Sequence, residues 1–159
     1  MLKKTRTLLH SNRGDALIFG IVMMLVVLMV YYCVLTFTKL KITTAHIQNT
    51  AEQVLDTYTT TQGRNAVESI KNGTDYTVVL DKDLYTQRLK DALDINNDFT
   101  GYDQNRKGFQ ISDVTLNYSV SNTIDSNVAF KLNEPIYFFG IEVTAINATV
   151  TVASKYNIK

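Results

Sequence analysis

The sequence predicts an α+β fold: a long N-terminal transmembrane helix with an amphipathic extension, then a second short helix packed on an antiparallel β-sheet. Three observations predict it. Residues Ala16 to Phe37 make 22 consecutive positions without a charge. Apolar residues then recur at Leu40, Ile47, Ala51, Val54, Leu55 and Tyr58, close to the period of a helix. From Phe109 to Tyr156 the pattern changes to alternation of apolar and polar residues, as in strands with one buried face.

At a rise of about 1.5 Å per residue, the uncharged run is long enough to cross the ~30 Å hydrocarbon core of a bilayer. A buried helix of a soluble protein keeps a polar face, whereas this run has none before Tyr31 and Tyr32, which suit an interface or a helix–helix contact. A cleaved signal peptide has an apolar stretch of about 7–15 residues and a small-x-small end. Leu35-Thr36-Phe37 does not supply that end. Lys3, Lys4, Arg6 and Arg13 precede the run and only Lys39 and Lys41 follow closely, so the positive-inside rule places the N-terminus in the cytoplasm. The expected organisation is a basic leader (1–14), the membrane helix (15–38), a helical stem (39–72) and an extracytoplasmic α+β domain (73–159), on a single-pass protein of the cell membrane.

Neither Pro nor Gly interrupts the stem before Gly63, and the helix is expected to end between Thr61 and Asn72, with the cluster Thr57, Thr59, Thr60 and Thr61 as a place for a kink or break. Asn72-Gly73 is a turn signal, and Tyr76 to Leu80 is rich enough in β-branched residues for a short strand. Asp81 then caps a helix from Lys82 to Leu93 that turns Leu84, Leu89, Ala92 and Leu93 inward. Asp94 to Gly108, with three Asn and two Gly among charged residues, reads as an exposed loop. Strands are expected over Phe109–Val120 and Val128–Leu132, and one bent strand or two over Ile136–Tyr156. Glu134-Pro135 separates the last two stretches, because proline belongs in a loop or at a strand start. The sheet should hold three to five strands.

Charge and side-chain chemistry narrow the function classes. After the membrane run the chain has 12 basic and 14 acidic residues, a balance of −2, which makes nucleic acid an unattractive partner. Cys33 is the only cysteine and lies inside the apolar run, so no disulfide forms within the chain. His10 and His46 stand apart without a second His or Cys nearby, and an enzyme is not expected. Asp94, Asn96 and Asp98, with Asp103 beyond them, place oxygen ligands as a calcium loop does at its start. Phe99, however, occupies the place of the sharp-turn Gly, and Asn105 that of the closing Glu. The segment is thus either a weak Ca²⁺ site or a solvated Asx-rich turn, and no other cofactor is implied. The aromatic run Tyr137, Phe138 and Phe139 suits a core corner better than a docking patch.

A basic leader ending in Arg13-Gly14, an apolar helix starting directly after it, an amphipathic extension and a C-terminal antiparallel sheet resemble the plan of type IV pilins and pseudopilins. The stretch Tyr137-Phe138-Phe139-Gly140 before an alternating strand from Val143 to Val152 is similar to the ending of TadE-like minor pilins and related membrane proteins of Gram-positive bacteria. The resemblance implies a structural subunit of a pilus, secretion or conjugation apparatus, with the lipid bilayer and other pilin-like subunits or membrane assembly proteins as partners. It also implies a leader-peptidase site between Gly14 and Asp15. The fifth residue after that site is Phe19, where pilins carry a Glu. Gly20 offers a neighbouring helix a point of close approach, without a GxxxG partner. The alternative is a single-pass accessory or ligand-sensing protein that does not polymerise.

Overall fold

A computed structural model of the chain describes residues 12–103, 106–138 and 140–158, and of these the side chains at 12–15, 103 and 138 are outside the description. Lys3, Lys4, Arg6, His10, Asn105 and Phe139 therefore lie outside the described residues. The architecture is α+β, with helices α1 (Asn12–Lys71) and α2 (Lys82–Leu93) followed by strands β1 (Thr100–Asp103), β2 (Arg106–Val120), β3 (Thr123–Phe138) and β4 (Ile141–Asn157). All neighbouring strands pair antiparallel in the order β1-β2-β3-β4. The chain divides into two compact units, Met1–Lys41 and Ile42–Lys159.

In the second unit, the face of α1 formed by Ile47, Ala51, Leu55, Tyr58 and Ala66 is buried on the sheet. These residues follow one another at intervals of three or four, apart from the last, so they lie along one stripe of the helix. The opposing sheet face supplies Ile124, Val128, Phe130 and Leu132 from β3 and Val150 and Val152 from β4. Polar contacts fix the direction: Thr44 donates to Glu134 at 2.7 Å and Thr59 bonds Ser126 at 2.8 Å, so α1 runs opposite to β3. The threonine cluster does not break the helix, because Thr61 Oγ1 donates to the Thr57 carbonyl at 2.8 Å and Thr59 is bonded to the sheet. At Gly63 the helix meets the Tyr156 ring so closely that a Cβ would overlap it. α1 ends where expected, with Gly73 at φ 68° and the Thr74 N–H bonded to the Ser69 carbonyl at 2.9 Å.

Four expectations need correction. Residues 74–80 form no strand, although Val78 and Leu80 are buried in the core. Of the β-branched residues there only Val78 packs in the core, Thr77 and Val79 are exposed, and none makes a ladder. In α2, Asp81 is the N-cap and accepts from the Asp83 N–H at 2.8 Å, but the fully buried residues are Tyr85 and Leu89, while Leu84 and Ala92 are exposed. Tyr85 can be buried because its hydroxyl donates to the Ala51 carbonyl at 3.2 Å. The segment 94–108 is not one loop, since it contains β1 and the start of β2, paired from Thr100↔Gln110 to Asp103↔Arg106. Pro135 lies inside β3, opposite Ala145 of β4. The β2 partnership ends at Asn133, so the proline stands where β3 has a neighbour on one side only. The stretch from Ile136 to Tyr156 is divided between β3 and β4 by the turn at Gly140, φ 85°.

Burial pushes the Tyr85 phenol well above its ordinary value. A phenol raised in the folded state contributes stability that is fully present below its unfolded value of about 10 and is lost as the pH climbs beyond it. The denaturation midpoint is expected to fall more steeply above pH ~10 in the parent than in Tyr85→Phe, measured by urea unfolding across an alkaline pH series.

Candidate functional site

Ala16 to Leu35 are exposed all round the helix in the isolated chain, with Leu17 at 64% and Phe19 at 66%. The core-facing residues Ile47, Ala51 and Leu55 are at 0%. α1 is the one helix among the described residues that is long and apolar enough to cross a membrane. Its two threonine hydroxyls at this end suit an apolar medium, because Thr36 donates to the Tyr32 carbonyl and Thr38 to the Val34 carbonyl, each at 2.9 Å. A side chain bonded to the carbonyl one turn earlier leaves no unmet donor in lipid. Gly20 has nothing within 4 Å of where a Cβ would stand, so its helix face is open to a neighbour. Gly14 and Asp15 fall in the first turn of α1, and Cys33 carries an exposed thiol.

The residues singled out for calcium are spread over a helix end, a turn and the end of β1. Asp94 caps α2 in the left-handed conformation, φ 51°, and bonds back to the Asp91 carbonyl at 3.4 Å. Asn96 and Phe99 close the next turn, and an Asp98 carboxylate oxygen accepts from the Thr100 N–H at 3.2 Å. Phe99 has φ 59°, the backbone form a turn glycine would take, and Lys90 Nζ lies 4.2 Å from its ring centroid. The Asp103 side chain is outside the described residues. Among the described residues no three His, Cys, Asp or Glu side chains gather as metal ligands. His46 is exposed on α1.

The sheet face turned away from α1 is polar and largely solvated. Asn117, Ser119, Asp125, Asn127 and Lys155 border a shallow depression of 590 Å³. Its charges are paired within the sheet: Lys155 lies 3.3 Å from Asp125, and along the strands Lys131 lies 2.7 Å from Asp113. The hydrogen bond from Lys131 and its charge hold the Asp113 carboxyl below the usual carboxylate range.

Sequence reading missed Glu134, which is buried and accepts from Thr44. Its signal was parity, since Phe130, Leu132 and Glu134 occupy alternate positions and all three are buried. Assigning Glu134-Pro135 to a loop hid it. Comparison with protein-family models, characterised proteins and solved structures returns no match.

Proposed function

We propose that the chain is a single-pass membrane subunit, with its N-terminus in the cytoplasm and its α+β unit outside, that assembles through its N-terminal helix into a pilus, secretion or conjugation apparatus of the pilin-like kind. The observation that carries this reading is α1 itself. One helix, Asn12–Lys71, supplies both an apolar run exposed on every side and a stripe that closes the core of the sheet unit. Such a run needs lipid or other helices around it, since this much apolar surface left in water drives association. A second reading, a subunit that stays single, is favoured by Phe19, because an uncharged residue there forgoes the intramembrane ion pair that would fasten neighbouring pilin helices.

Cysteine cross-linking in native membranes tests the two. In a Cys33→Ser background, Gly20→Cys is expected to give dimers and higher cross-linked species if the helices assemble, and monomer alone if they do not. Mass measurement of the purified native protein reads the leader at the same time. A mature terminus at Asp15 supports the pilin reading, and an intact leader supports a simple anchor.

A further inference from the structure

We propose that the β3–β4 hairpin tip is a second membrane contact, which rests on the headgroup layer of the bilayer that α1 is proposed to cross; the inference depends on that membrane reading. Its basis is the placement of the tip within the unit Ile42–Lys159. Thr44 is bonded to Glu134 and α1 runs opposite to β3, so β3 continues beyond Glu134 toward the end of the unit where the chain enters it. The turn at Gly140 follows six residues later, about 20 Å of strand. Chain length keeps that end near the bilayer, because the seven steps of chain from Phe37 to Thr44 span about 10 Å as helix and at most ~25 Å fully extended.

The chemistry of the tip fits a lipid interface. Ile141 and Val143 are 71% and 65% exposed, and Ile146 is exposed further along β4. Tyr102, paired with Lys107, presents an exposed ring at the same end of the sheet. The Arg106 guanidinium lies 5.9 Å from the Tyr137 ring centroid and 3.2 Å from the place a Cβ on Gly140 would take. Aliphatic side chains, tyrosines and a guanidinium at one end make the pattern of an interfacial anchor, with the cation directed to anionic headgroups. Two acids oppose these charges at this end, Glu142, exposed next to Ile141, and Asp103, the register partner of Arg106. The β2–β3 turn at the other end of the sheet is Ser121-Asn122, small and polar.

The chain contains no tryptophan, so single substitutions report depth without background. Full-length Ile141→Trp, Asn122→Trp and Phe37→Trp are each reconstituted in vesicles of phosphatidylcholine with about a quarter phosphatidylglycerol. Fluorescence is then read with and without brominated acyl chains. Residues seated about 5–10 Å into the headgroup boundary are reached by such chains, so Ile141→Trp should lose roughly half its emission and Asn122→Trp almost none. If Phe37→Trp is quenched and Ile141→Trp is not, the hairpin contact is overturned and the membrane span stands. If neither is quenched, both fall. Equal quenching of Ile141→Trp and Asn122→Trp also overturns the contact, because the two ends of the sheet would then meet lipid alike.

Discussion

Tyr58→Ala is expected to lower the unfolding free energy of the sheet unit by about 3–5 kcal/mol, the cost of emptying a large aromatic site in a packed core. Tyr58 is 1% exposed and belongs to the stripe by which α1 covers the sheet. Its hydroxyl also accepts from the Asp81 N–H at 2.9 Å, just where Asp81 caps α2, and the Arg88 guanidinium lies 4.9 Å from its ring centroid. One side chain therefore ties the stem, the cap of α2 and the core together. Tyr58→Phe separates the contributions: it keeps the ring and removes the hydroxyl that the Asp81 N–H donates to, at about 0.5–1.5 kcal/mol, since Asp81 is exposed. Urea unfolding of the detergent-solubilised chain, followed by circular dichroism, measures both. A loss for Tyr58→Ala no greater than that for Tyr58→Phe would show that the ring contributes little packing.

A pair of acids in the middle of the apolar run, Leu25→Asp with Leu28→Asp, should release the chain from the membrane fraction. Each acid at the centre of a spanning helix costs about 2.5–3.5 kcal/mol, whereas each central Leu, Ile, Val or Phe contributes about −0.3 to −0.6. One acid is therefore outweighed by the rest of the run, while two bring the sum to about zero or above. The two positions are three apart, on one helix face, so an outward pair cannot be hidden by rotating the helix unless it finds partners in a bundle. Carbonate extraction reads the result. Full retention of the double variant would mean either that the run does not lie in lipid or that its acids are held among other helices, and the Phe37→Trp quenching described above distinguishes these.

The parts of the fold legible in the sequence were those written in long periodic runs. The uncharged stretch, the helical stripe from Ile47 to Tyr58 and the alternation along β4 each repeat one rule often enough to be read without tertiary information. Short elements were harder. β1 is four residues long and lies in a segment dominated by Asn, Asp and Gly, so its composition does not announce its pairing with β2. Tyr85 and Leu84 are adjacent and both apolar enough for a core, and what favours Tyr85 is a carbonyl on α1 within reach of its hydroxyl. Glu134 is buried against local preference because a threonine 90 positions earlier meets it. Of the candidate site, the apolar run was plain in the sequence, while the place of the β3–β4 tip at the unit's entry end was not, because it depends on α1 running opposite to β3.

Because β1, β2 and β3 each pair with the strand next in sequence, the sheet can grow hairpin by hairpin in the order of synthesis. α1 comes first in that order, yet part of the core it closes, Val150 and Val152, arrives with the last strand. Until β4 has emerged, the stem carries its apolar stripe without a complete cover. A nascent chain stalled before Val150 should therefore be open to proteases along the stem, and a released one resistant, so that completion of the chain sets the moment of folding.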